Sequence, residues 1–330
     1  MRLSSLCLSA WCGCLASLAA GAEEISEYPL LSDGHRPQAI TPGPDGNVWV
    51  TEVLKHKIIR LSPQGELVEF PIPGVGVGVI QGIAAGADGC LWFTSREENS
   101  IRRLSPAGVF CGEYQIPSQA VAGDDALTKG SWPRVIVAGG DGNLWFTEMA
   151  ANKIARITIK GQIREYDIPT ANSHPYGLAY GSDRHVWFSE SAGNKIGRLD
   201  TETAVITEFP LPNADSFPRD LVAGADGHLW FSENKGNRIG RITTSGEIRE
   251  FDRPTAGAQP IGISQGPDGN IWFCEFKVGK VGCVTGEGKI RELALPTPNT
   301  KPFGICAGPD GNLWVALQEN RIARIRLAQH

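Results

Sequence analysis

A tryptophan recurs at Trp49, Trp92, Trp145, Trp187, Trp230, Trp272 and Trp314, with gaps of 43, 53, 42, 43, 42 and 42 residues. An aspartate stands four positions before each one: Asp45, Asp88, Asp141, Asp183, Asp226, Asp268 and Asp310. A register kept seven times is a repeat. Repeats of this length built from short strand patterns each form one four-stranded blade of a β-propeller. The expected fold class is therefore all-β, a seven-bladed β-propeller.

The fourth copy shows how each blade divides. Pro175 to Tyr180 reads as strand one, His185 to Glu190 as strand two, Lys195 to Asp200 as strand three and Val205 to Pro210 as strand four. The aspartate between strands one and two is usually followed by glycine, which permits the positive φ of a tight turn. Strand two carries consecutive apolar residues, such as Leu144, Trp145 and Phe146, so both of its faces must be covered, as neighbouring blades would cover them. Strand four leaves through a Pro-x-Pro-like segment such as Phe70-Pro71-Ile72-Pro73, suited to an outer edge that faces water.

The two ends of the chain complement each other. The last copy, Pro302 to Leu327, has only strands one to three, whereas Ile25 to Leu30 matches the fourth strand of the other copies. The N-terminal strand is expected to complete the last blade and close the ring, removing the edges that an open ring would expose. The pattern breaks in two places. Ile80 replaces the strand-one proline of the second copy, after the run Gly74-Val75-Gly76-Val77-Gly78, and about ten residues are inserted within 118–132. Such an insertion belongs on a face of the propeller, as a tolerated loop or as a functional one.

Residues 1–22 read as a secretory signal peptide, with Arg2, an apolar stretch from Leu3 to Ala20, and Ala20-Gly21-Ala22 before the cut. Residues 23–330 are then a single propeller domain, periplasmic or secreted, with no membrane span and expected to be a monomer. Five cysteines remain after cleavage, Cys90, Cys111, Cys274, Cys283 and Cys306, an odd number with no C-x-x-C pair. They read as structural. A formal net charge of -5 gives no reason to expect nucleic acid or an anionic membrane as partner.

The residue after the strand-one proline varies: Gln38, Gln81, Arg134, Tyr176, Arg219, Ile261 and Phe303. Strand one is innermost in a propeller, so these seven should ring one mouth of the central channel. Two guanidiniums flanking the Tyr176 phenol suit a carboxylate, a phosphate or a sugar acid. Ile261 and Phe303 supply an apolar wall, and Lys301 sits near the rim. The plainer reading is that the arginines pair with carboxylates such as Asp220 and fill the channel. Glu52, Glu148, Glu190, Glu233 and Glu275 follow their tryptophans by three residues and read as scaffold, accepting bonds from backbone or neighbouring Lys and Arg. Among the histidines only His174 falls near the mouth. It is the one candidate general base, against the plainer reading of a solvated loop residue.

The repeated phrases PxGI, PDGNLWFTE, NKIGRI and IxEYPIPT resemble the streptogramin B lyase (virginiamycin B lyase) family along the whole mature chain. The resemblance implies a seven-bladed propeller and a magnesium-dependent elimination that opens a cyclic depsipeptide. It also implies a set of site positions, and this chain departs from the family at several of them. A family Pro-His is Pro260-Ile261 here, and a family Glu-Pro-His, whose histidine is the base, is Lys301-Pro302-Phe303. A glutamate that helps to hold magnesium is Gln318, and a substrate-flanking tyrosine is Gln38. Neither isoleucine nor phenylalanine can accept a proton, and a lysine repels a cation. No catalytic residue, metal site or cofactor is therefore assigned.

Three functions follow in order. The first is an exported, lyase-like propeller that binds a small, anionic ligand. The second is a lyase (C–O elimination) or hydrolase on a cyclic ester or sugar acid, with a rearranged site using Arg134, Tyr176, Arg219 or His174. The third is a platform for a protein partner.

Overall fold

The computed structural model describes residues 23–31, 34–74, 79–120, 130–252 and 255–328. The leader expected over residues 1–22 lies outside them, as do residues 75–78 of the glycine run and 121–129 of the insertion. Twenty-eight strands, numbered in chain order, form seven four-stranded antiparallel sheets.

The innermost strands are β2 (Pro37–Pro42), β6 (Ile80–Ala85), β10 (Pro133–Ala138), β14 (Pro175–Tyr180), β18 (Pro218–Ala223), β22 (Pro260–Gln265) and β26 (Pro302–Ala307). Each touches the innermost strand on either side, in a closed circle. The fourth blade has the expected strands to within one residue, with β15 at Val186–Glu190, β16 at Lys195–Leu199 and β17 at Ile206–Pro210. The Asp-Gly turns carry the expected positive φ, for example 76° at Gly46 and 78° at Gly269.

The repeat tryptophans are fully buried, and each indole Nε1 donates to the aspartate four residues earlier, at 2.9 Å for Asp45 and 2.9 Å for Asp310. In six blades the ring stacks on an aromatic of the fourth strand, as Trp92 does on Tyr114 at 5.3 Å and Trp187 on Phe209 at 5.6 Å. Leu293 takes that place in the sixth blade. Each tryptophan thus ties its strand-one turn, second strand and fourth strand together, which is why a single residue type marks the period.

Closure is as the two ends suggest. Strand β1 (Glu24–Pro29) pairs antiparallel with β28 (Arg321–Arg326), placing Tyr28 opposite Ile322. The Leu30 amide donates to the Asn320 carbonyl at 3.0 Å, and the Thr297 amide of the sixth blade donates to Glu27 at 3.2 Å. The same clamp recurs at Thr170–Glu208 and Thr255–Glu292, so β1 behaves as any other outer strand.

A second set of bonds joins blade to blade. In five blades the hydroxyl two residues after the tryptophan donates to a carbonyl of the next innermost strand: Thr51 to Gln81 at 2.7 Å, Thr94 to Arg134 at 3.0 Å, and Thr147 to Tyr176 at 3.0 Å. Ser189 reaches Arg219 at 2.5 Å and Ser232 reaches Ile261 at 2.6 Å. Each hydroxyl also accepts from an amide of its own blade, as Ser232 does from Asp220 at 3.2 Å. The series ends there. Cys274 and Ala316 occupy the position in the sixth and seventh blades, and no such bond is present at those two seams among the described residues.

Candidate functional site

Each innermost strand pairs with its neighbour at the first residue and resumes three residues later with a register shift, as between Pro218 and Leu221. The two residues between, here Arg219 and Asp220, are released from regular pairing. The carbonyl of the first is held by the hydroxyl of the preceding blade. Sequence and scaffold together thus fix the backbone of Gln81, Arg134, Tyr176, Arg219 and Ile261.

These strands enclose a central cavity of about 430 Å³. Of the expected mouth residues, Gln38, Gln81, Arg134, Tyr176, Ile261 and Phe303 line it. Arg219 joins them through Tyr176. The phenol ring lies between two guanidiniums, with Arg134 Cζ 3.9 Å and Arg219 Cζ 4.3 Å from its centroid. Arg134 also donates to the Tyr176 hydroxyl at 2.5 Å and to Gln81 Oε1 at 3.3 Å. Each stack is worth about 0.5–2 kcal/mol, and it leaves the positive charge uncompensated.

The plainer reading of the arginines is met only at a distance, their charges acting on Asp220 without a direct ion pair. No ion pair joins Arg134 or Arg219 to a carboxylate among the described residues, and Asp220 is no exception. Burial pulls Arg219 below its ordinary range, with Arg134 adding to the pull while Tyr176 and Asp220 oppose it.

Aromatic residues back this basic arc. Trp132, His174 and Phe217 precede Pro133, Pro175 and Pro218 with φ of 55°, 53° and 53°, a left-handed conformation that bulky residues seldom adopt. Trp132 carries Arg96 at 3.7 Å, and Phe217 carries Arg219 at 5.1 Å and Lys235 at 4.6 Å. His174 is half-buried beside the mouth and does not line the cavity. Across the mouth, Phe303 meets Phe276 edge-to-face at 6.2 Å, giving the apolar side expected from Ile261 and Phe303.

Asp220 is the residue whose role was not legible from sequence. It lines the cavity and is half-buried. Burial raises its carboxyl to about 7, against the amides of Leu221 and Ile263 and the charges of Arg134 and Arg219.

The glutamate series stays structural but divides in two. Glu52 accepts from the amides of Arg36 at 2.5 Å and Leu54 at 3.0 Å, and from that of Lys55. Glu148, Glu190 and Glu233 form no ion pair with the neighbouring Lys153, Lys195 and Arg238, one of the two kinds of partner expected, because outer carboxylates occupy those. Lys153 pairs with Asp167 at 2.9 Å and Lys195 with Glu208 at 2.7 Å. Burial, with the nearby Glu165 and Glu208, raises Glu148 to about 8 and Glu190 to about 7, and burial raises Glu233 to about 7.

Lys301 and Gln318 are neighbours, the Gln318 amide donating to the Lys301 carbonyl at 3.1 Å. The adjacent Glu319 is engaged by the Thr300 hydroxyl at 3.0 Å and the Lys301 amide at 2.6 Å. An exposed ammonium, a buried amide and an engaged carboxylate do not make a donor set for magnesium, which favours carboxylate and water oxygens. These residues do not fit the ion.

A closed ring of seven four-stranded blades around a channel lined by the innermost strands defines the class. Within it, the chain belongs to the virginiamycin B lyase family, whose model matches residues 12–126 and 120–330. Selenomethionine-substituted virginiamycin B lyase from Staphylococcus aureus is 36% identical, with a TM-score of 0.84 over 93% of this chain and 100% of that one. A streptogramin B lyase structure is 37% identical, with a TM-score of 0.85 over 92% and 98%. A catalytically inactive histidine-to-alanine variant of the S. aureus enzyme with quinupristin matches at 36% identity and a TM-score of 0.84, over 93% and 100%. No curated protein sequence matches the chain.

Proposed function

We propose that this member of the family is an exported binding protein that takes a small anionic ligand at the channel mouth. The stack of Arg134, Tyr176 and Arg219 carries this reading: two guanidiniums against one phenol, that of Arg134 lining the cavity, neither in an ion pair with a carboxylate among the described residues. An anion entering there would find bidentate donors already oriented and an apolar wall at Ile261 and Phe303. Export rests on the leader-like composition of residues 1–22.

The family's elimination does not carry over to these residues. Ile261 and Phe303 stand where the resemblance places histidines, and Lys301 and Gln318 stand where it places carboxylates for magnesium. Incubating the purified protein with a streptogramin B antibiotic, with and without magnesium, should leave the ring intact by mass spectrometry. Linearised product would overturn this reading. In parallel, small aromatic carboxylates should raise the melting temperature of the wild type and have no effect on Arg134→Ala or Arg219→Ala.

A further inference from the structure

Asp220 is the single carboxyl among the residues lining the cavity. The fold does not require one there. The equivalent positions in the other blades are Ala39, Gly82, Val135, Gly177, Gly262 and Gly304, and none of these side chains can carry charge. The close approach of the innermost strands even favours glycine: a Cβ on Gly177 would come within 2.3 Å of the Arg219 carbonyl. The Asp220 carboxyl accepts from the Leu221 amide at 3.1 Å and from that of Ile263, with no cationic side chain paired to it among the described residues. A carboxyl lining the cavity with the charges of Arg134 and Arg219 nearby, but with no cation in contact, has acceptor capacity left that a ligand donor can take.

Arg219 and Asp220 are adjacent in the chain and both freed by the same bulge. Asp220 and Arg134 both line the cavity and offer it opposite charges. A ligand matching both must carry an anion and a donor cation on neighbouring atoms, with an apolar remainder toward Ile261 and Phe303. We infer that the channel takes a zwitterionic ligand of the α-amino-acid type, its carboxylate on Arg134 and its ammonium on Asp220. This rests on the anion-binding reading above and narrows it to one ligand class.

Calorimetric titration of the purified protein with L-phenylalanine, 3-phenylpropionate and 2-phenylethylamine tests it. Phenylalanine should bind about tenfold more tightly than phenylpropionate, with phenylethylamine weakest, because a charge-assisted bond to Asp220 is gained. Asp220→Asn should bring phenylalanine down to the level of phenylpropionate and leave phenylpropionate unchanged. Phenylpropionate binding as well as phenylalanine would overturn the zwitterion inference and leave the anion site standing. Binding of neither carboxylate would end both.

A wild-type measurement guards against a variant that folds poorly. The ionisable groups around Asp220 are Arg219 on its own strand, Arg134 on β10, Tyr176 on β14 and the buried Cys274 on β23 (Ile271–Glu275). Arginine keeps its charge and burial keeps the thiol protonated. The preference for phenylalanine should therefore widen from about pH 6 to about pH 8, as Asp220 gives up its proton. A preference that stays constant over that range would remove Asp220 from the site.

Discussion

Tyr28 stacks on Trp314 with ring centroids 5.7 Å apart, so the first described strand and the last blade share one aromatic pair. The contact repeats what Phe70 does for Trp49 and Phe251 for Trp230 within their own blades. Removing residues 23–31 would uncover Trp314 and the β28 edge together, and the truncated chain should aggregate or unfold. Tyr28→Ala alone should cost roughly 2 kcal/mol in chemical denaturation. A truncated protein that melts normally would show that the ring does not need its N-terminal strand.

The blade-to-blade hydroxyls make a second prediction. Ser232→Ala leaves the Ile261 carbonyl and the Asp220 amide without their partner and should lower stability by about 1–3 kcal/mol. Ala316→Ser should do the reverse. The Gln38 carbonyl lies against Gly304 as the Arg219 carbonyl lies against Gly177, so a new hydroxyl would find the same pair of partners. A gain of about 1 kcal/mol is expected from denaturant midpoints, and a loss would mean the seam is shaped differently.

Stability should depend on pH in an unusual sense. Glu148, raised to about 8, and Glu190 and Glu233, raised to about 7, prefer the protonated form when folded. The unfolded chain holds those protons only below the ordinary glutamate range near 4.5. The stability they contribute is full below that value and is lost as pH rises through 7 and 8. The melting temperature should fall from mildly acidic to mildly basic buffer, and Glu148→Gln should flatten part of that slope. A melting temperature that rises across the same interval would contradict the assignment.

The fold could be read almost entirely from sequence because a buried tryptophan and its aspartate are needed in every blade for the same reason. The outer-strand match of Ile25 to Leu30 revealed the closure by the same logic. The site was legible only in outline. Arg134, Tyr176 and Arg219 fell on the channel because strand one is innermost, but their stacking depends on side-chain directions that a repeat does not encode. Asp220 looked like a counter-ion because it follows an arginine. In the structure both arginines engage Tyr176 and leave the carboxyl to the lumen. The glutamates misled for a related reason. Their nearest cations, Lys153, Lys195 and Arg238, are adjacent in register, yet they turn outward to Asp167, Glu208 and Asp252, which keep more contact with water.

The break in the hydroxyl series has a mechanical consequence. Five seams are tied at the innermost strands by Thr51, Thr94, Thr147, Ser189 and Ser232, whereas the two seams flanking the last blade are crossed only farther out, by Thr297–Glu27 and Arg324–Pro63 among other bonds. Those two seams adjoin Phe303 and Gln38, while the arginines stand on blades tied by hydroxyls at both seams. The ring thus holds the backbone of both arginines by a hydroxyl from the blade before and ties their own blades to the next, while the seventh blade has neither tie at its innermost strand.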